Sequence, residues 1–181
     1  MNLPNKLTLL RVFLVPFFIV FMLWEGIPYG NYIAVCIFIV AAATDALDGH
    51  IARKNNLVTD FGKFMDPLAD KLLVCSALIC FVEVDSIPMP AWVVIIIIGR
   101  EFIISGFRLI AADHDVVIAA NIWGKIKTVV QMVMSVVLIL AIDLPVFEII
   151  EQVLIYLALV LTVISLITYI WENRRLILDS K

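Results

Sequence analysis

Four aspartates carry the most reactive chemistry in this chain. Asp45 and Asp48 lie in the segment TDALDGHIAR, and Asp66 and Asp70 in GKFMDPLADK shortly after it. Residues three or four apart on a helix share a face, so each pair forms one acidic edge. A short connection makes the two segments antiparallel neighbours, and their edges are expected to meet at one depth. Four carboxylates in one pocket repel each other and resist joint ionisation where the dielectric is low. A cation must neutralise them. Oxygen-only donors suit Mg2+, Mn2+ or Ca2+, and the lack of cysteine or paired histidine argues against zinc. Lysine and arginine side chains are the competing source of positive charge. Taken singly, a buried aspartate would be read as a structural group or a proton relay. The residues around the four fit a ligand site better: Gly49 and Ala52 leave a groove beside Asp48, Gly62 relaxes the turn before the second pair, and Arg53 flanks the first. Pro67 is compatible with a helix if it falls in the first turn.

The elements that must hold these groups are membrane helices. Of 181 residues, 64% are hydrophobic and 16% charged, far from the roughly half-apolar composition of a soluble domain. The apolar residues form six runs long enough to cross a bilayer: Leu9 to Trp24, Asn31 to Ala52, Phe64 to Val84, Ala91 to Ala112, Ile122 to Ile142 and Ile149 to Trp171. Turns bearing proline and acidic residues, such as Glu25-Gly26-Ile27-Pro28 and Asp143-Leu144-Pro145, separate several of them. The expected fold is therefore all-α, a polytopic six-helix bundle forming one membrane-embedded domain over residues 1–181. The first span shows no small-residue cleavage site after it and is read as retained. With both termini cytoplasmic, every Lys and Arg falls on the inner side, while the outer turns carry Glu25, Glu83, Asp85, Asp143 and Glu148. The formal net charge of -3 thus conceals a basic inner face. Cys36, Cys75 and Cys80 lie inside apolar runs without ligand spacing and read as packing residues. A charge in mid-bilayer costs about 2.5 to 3.5 kcal/mol on insertion scales, so the aspartates imply function. An ion-coupled transporter is one reading, but such carriers often show repeated halves, and no repeat is visible here.

The spelling of the acidic segment is more specific. Asp45-x2-Asp48-Gly49-x2-Ala52-Arg53-x8-Gly62-x3-Asp66-x3-Asp70 matches every defined position of the signature of the CDP-alcohol phosphotransferase family, which this chain resembles. The resemblance implies a six-helix membrane enzyme, usually a homodimer, that displaces CMP from a CDP-linked donor with an alcohol. It extends into PNKLTLLR, GREFIISGFR and GKIKT, which implies CDP-diacylglycerol as donor and glycerol 3-phosphate as acceptor, at the cell's inner (plasma) membrane. A sibling using inositol phosphate, serine or phosphatidylglycerol would share the signature. On this reading Asp45, Asp48, Asp66 and Asp70 hold one or two divalent cations, Mg2+ or Mn2+. Asp70 is also the general base, and Asp48, Gly49, Ala52, Arg53, Gly62 and Asp66 line the donor.

The remaining polar residues sort around that site. Glu101, Ser105 and Arg108 share a stripe in the fourth span, where Glu101 can pair with an arginine and hold it. The remaining positive charge of Arg100 and Arg108, with Lys125 and Lys127, suits a phosphate dianion, here that of glycerol 3-phosphate. Salt bridges or lipid headgroups are the plainer explanation, and they are preferred for Lys6, Arg174, Arg175 and Lys181. Lys63 and Lys71 can serve either end of the pocket. Asn5 and Thr8, in a short interfacial entry to the first helix, can bond the nucleotide or simply cap the helix. His50 and His114 are not catalytic candidates.

Overall fold

The computed structural model describes residues 3–54, 60–113 and 121–174. Within these, the side chains of residues 3, 4, 45–54, 60–64, 66, 67, 70, 112 and 113 lie outside the description. Six helices make up nearly all of it: α1 (Leu3–Leu23), α2 (Gly30–Lys54), α3 (Asp60–Glu83), α4 (Ala91–Asp113), α5 (Ile122–Leu140) and α6 (Pro145–Glu172). No strand occurs among the described residues. Three of the helices, α1 from Asn5 onward, α5 and α6, are long and apolar enough to cross a membrane by themselves. The chain is an all-α polytopic membrane protein.

Helix ends depart from the apolar runs for identifiable reasons. Helix α1 begins at Leu3 rather than Leu9, so PNKLTLLR is the start of the first helix and not a separate entry segment. Its proline sits in the first turn, where the missing N–H loses nothing, and no breaker follows before Pro16. Helices α2 and α3 run on to Lys54 and back to Asp60, because backbone hydrogen bonding continues past the point where side chains become polar. Pro67 therefore lies beyond the first turn of α3, where it cannot supply an N–H to the carbonyl one turn back. Helix α5 stops at Leu140 because Ala141 takes a left-handed φ of 44°, a common way of ending a helix. Helix α6 opens with proline at its first positions.

The chain divides into two compact units, residues 1–87 with 135–142 and residues 88–134 with 143–181. In the first, α1 packs against α2 and α3, and α2 against α3. Lipid supplies no hydrophobic drive between helices, so close packing must hold them together. Ala34 and Ala41 of α2 and Ala69 and Ala77 of α3 are buried alongside Val15, Phe18 and Phe38, with the two phenylalanine rings 6.0 Å apart. Gly30 makes the closest approach. A Cβ on it would sit 2.6 Å from the carbonyl oxygen of Phe21, a backbone atom that cannot swing aside. Gly30→Ala is accordingly expected to wedge α1 and α2 apart and cost about 1–3 kcal/mol, seen as a lowered melting temperature of the detergent-purified protein. Asn31 donates its side-chain N–H to the Leu140 carbonyl at 3.0 Å, satisfying one of the open carbonyls at the end of α5.

In the second unit α4 packs against α6. Val93, Ile97, Arg100, Ile104 and Ala111 form the buried stripe of α4, and Glu151, Ile155, Ala158, Leu161, Thr162, Ser165 and Tyr169 that of α6. Asn121 caps α5, its Oδ1 accepting from the Gly124 N–H at 2.9 Å, while its Nδ2 donates to Thr168 Oγ1 of α6 at 2.9 Å.

Candidate active site

The residues expected at the donor lie on three helices of the first unit that pack against one another. Asp45, Asp48, Gly49, Ala52 and Arg53 lie on the last turns of α2, and Gly62, Asp66 and Asp70 on the first turns of α3. The side chains of all of these lie outside the described residues, as does that of Lys63. Asn5, Thr8 and Arg11 are buried and follow one another at intervals of three along α1, so they continue the inward stripe of Val15 and Phe18. Helices α1 and α2 are antiparallel neighbours: Gly30 approaches Phe21 and Phe38 approaches Phe18. Carrying that register along both backbones brings the Asn5 to Arg11 stretch to the level of the α2 turns that carry Asp45 and Asp48. The polar end of the α1 stripe is thus at the depth of the acidic end of α2.

Arg11 is a residue that reading for runs and signatures missed. It has no exposed surface, and it makes interactions within the fold. Its signal was available in the spacing: three polar residues at positions 5, 8 and 11 share one face of an otherwise apolar helix. Lys6 is exposed on α1 and Lys71 half-buried on α3.

In the second unit the structure brings two of the four expected acceptor residues into one cluster. Arg100 and Lys127 are 9% and 2% exposed, and both bind the same oxygen of Glu101. Arg100 Nη1 donates to Glu101 Oε1 at 3.1 Å, and Lys127 Nζ donates to the same atom. Glu101 and Lys127 each make further interactions within the fold. Arg100 Nε donates to Ser165 Oγ of α6 at 3.1 Å, and Ser165 Oγ–H donates to the Thr162 carbonyl at 2.9 Å. Ser105 Oγ–H turns back to the Glu101 carbonyl at 2.6 Å and serves its own helix.

The other two expected residues lie apart from this cluster. Arg108 is exposed on α4 and stands over the Tyr169 ring, 6.0 Å from its centroid, a cation–π distance. Lys125 is exposed on α5, two residues from Lys127 and hence on the opposite side of the helix. Beyond them, Arg174 lies 4.6 Å over Trp171, an arrangement suited to a membrane interface. His114, Arg175 and Lys181 fall outside the described residues, and the side chain of His50 does too. Among the described residues no group of three His, Cys, Asp or Glu side chains could hold a metal ion.

Comparison with known proteins bears on what these groups do. The model of the family described as CDP-alcohol phosphatidyltransferase matches residues 1–164. This chain belongs to that family. Its similarity to individual CDP-alcohol phosphatidyltransferases extends over nearly the full length. The chain is 47% identical to the CDP-diacylglycerol–glycerol-3-phosphate 3-phosphatidyltransferase of Bacillus subtilis, over 94% of this chain and 92% of that protein. It is 39% identical to the protein of the same name from Haemophilus influenzae, over 99% and 97%. A probable phosphatidylglycerophosphate synthase of Mycobacterium tuberculosis is 37% identical over 93% and 80%. Divalent-cation dependence is general in the CDP-alcohol phosphatidyltransferase family. The family match takes in Arg100, Glu101 and Lys127, whereas Ser165, Thr168 and Tyr169 lie past residue 164.

Proposed function

We propose that this chain transfers the phosphatidyl group of CDP-diacylglycerol to glycerol 3-phosphate, giving phosphatidylglycerophosphate and CMP, and that residues 1–181 act as one catalytic domain. The observation that carries this reading is the similarity, across nearly the whole chain, to relatives named for that reaction. The Arg100–Glu101–Lys127 cluster supports the choice of acceptor, because a guanidinium and an ammonium held side by side suit a phosphate monoester.

The donor set of Asp45, Asp48, Asp66 and Asp70, all carboxylates, fits Mg2+ or Mn2+, as one or two ions. A divalent cation held there supplies charge neutralisation to the pyrophosphate of the donor. The chain's own residues do the rest. Asn5 and Thr8 orient the cytidine, and Gly49, Ala52 and Gly62 keep the groove open for the donor. Arg53 stands by the departing CMP. Arg100 and Lys127 hold the phosphate of the acceptor, with Arg108 and Lys125 drawing it in from the interface. Asp70 takes the proton from the acceptor's primary hydroxyl as that oxygen bonds to the phosphorus attached to diacylglycerol. The bond from that phosphorus to the bridging oxygen breaks, and CMP leaves with the electron pair. A lipid donor and a water-soluble acceptor require a site at the membrane surface, which we place on the cytoplasmic side of the plasma membrane in a homodimer.

The decisive experiment supplies purified protein with labelled CDP-diacylglycerol and, separately, glycerol 3-phosphate, inositol phosphate, serine and phosphatidylglycerol. Phosphatidylglycerophosphate is the expected lipid, formed with an equal amount of CMP and only when a divalent cation is present. A different lipid product would transfer the chain to a sibling reaction. Product formed at full rate in excess chelator would overturn the role given to the four aspartates.

A further inference from the structure

The guanidinium of Arg100 is fixed on two sides and open on the third. It has five N–H groups. Nε is committed to Ser165 and one N–H of Nη1 to Glu101, while Nη2 has no hydrogen-bond partner among the described residues. The Ser165 proton is itself committed to the Thr162 carbonyl, so its lone pairs face Arg100 and the serine acts as a directed acceptor. The side chain is nine-tenths buried, yet Nη2 is not among the fully buried atoms that lack a partner, so a ligand can reach it.

Nη2 lies beside Gly124. A Cβ there would lie 3.2 Å from Nη2 and 3.1 Å from Asn121 Oδ1, closer than ordinary van der Waals contact. Neither neighbour can yield freely, since Arg100 is tied to Ser165 and Glu101, and Asn121 to Thr168 and the Gly124 N–H. Backbone freedom does not call for glycine at this position, because no described glycine has a positive φ. Gly99 and Gly106 of α4, by contrast, have nothing within 4 Å of where a Cβ would stand. What glycine provides at 124 is room beside a guanidinium.

We infer that Gly124 is a specificity-determining position of the acceptor site and Ser165 a positioning residue for it: Ser165 and Glu101 hold Arg100 so that its Nη2 edge opens above Gly124, where it takes an oxygen of the acceptor's phosphate. This inference rests on the acceptor reading above and adds two residues to it, one of them beyond the stretch that the family match covers.

Steady-state kinetics of Gly124→Ala and Ser165→Ala in detergent micelles test it, with inorganic phosphate as a competitor of glycerol 3-phosphate. Gly124→Ala is expected to raise the apparent KM for glycerol 3-phosphate and the inhibition constant of phosphate together, by about tenfold, the worth of one hydrogen bond to a charged group. The KM for CDP-diacylglycerol and kcat should stay within about twofold. Ser165→Ala should raise the same two constants by about threefold. The double variant should fall short of the product of the single effects, because an untied guanidinium can move away from the new methyl group. A KM for glycerol 3-phosphate unchanged in both single variants overturns the inference, as does an equal loss against both substrates. Should Gly124→Ala not fold, Ser165→Ala decides alone. If the wild type forms no product with glycerol 3-phosphate, it is the acceptor reading that has failed, a result separate from these.

Discussion

Asp70→Asn is expected to leave a folded protein that binds its substrates and scarcely turns over. The exchange keeps size and shape but removes the basic oxygen that would take the hydroxyl proton. General-base catalysis is typically worth 10² to 10⁴ in rate, and a fall in kcat of about 10³ is expected. The measurement is CMP release from CDP-diacylglycerol at saturating glycerol 3-phosphate, accompanied by a melting curve. If kcat stays within tenfold of wild type while the melting temperature holds, Asp70 is not the base. Asp70 also belongs to the metal's donor set, so the two roles are separated by raising Mg2+: Asp66→Asn should recover rate, whereas Asp70→Asn should keep the deficit of its missing base at saturating Mg2+.

The second large effect is expected at Arg100. Arg100→Ala removes the donor to Glu101 and Ser165 and leaves the part-buried Glu101 with fewer partners. Breaking such a hydrogen-bonded charge pair costs about 2–5 kcal/mol. The apparent KM for glycerol 3-phosphate should rise by about a hundredfold. Arg100→Lys should recover little of this, because an ammonium cannot reproduce the planar fork that reaches Ser165 and Glu101 together. Arg108→Ala and Lys125→Ala should change the same constant by only a few fold, since both side chains are exposed and act through a screened field. Equal effects at positions 100 and 108 would refute this ranking of the two arginines.

Much of this molecule is legible from its sequence, and the parts that are not share a physical cause. The six helices follow from apolar length, since nothing but a helix lets a single segment satisfy its own backbone in lipid. Placing Asp45 with Asp48 and Asp66 with Asp70 needs only helical spacing. The choice between Arg100 and Arg108 could not be made in that way. Helix α4 is apolar on nearly every side, Val93 and Ile97 facing the protein and Ile95 and Phe102 facing outward, so no contrast in hydrophobicity reveals its inner face. Spacing grouped Glu101, Ser105 and Arg108, whereas burial picks out Arg100. Lys125 and Lys127 illustrate the same limit, being neighbours in sequence and opposed on the helix. Ser165 gave no signal, because a lone serine in an apolar helix commonly bonds its own backbone, as its hydroxyl does here while also accepting from Arg100. The long reach of α1, α2 and α3 was hidden because hydropathy marks the thickness of the lipid and not the extent of the hydrogen-bonded backbone.

The seat of Arg100 in the buried stripe of α4 also constrains how the protein is made. The ribosome completes α4 before Lys127 and Ser165 exist, so during synthesis this helix must partition before those two can join Arg100 and Glu101. Each charged residue near the middle of a nascent span opposes partitioning by about 2.5 to 3.5 kcal/mol. Helix α4 should therefore linger at the insertion machinery until α5 and α6 emerge and dock, and chains halted after Asp113 should be extracted and degraded where those halted after Glu172 persist.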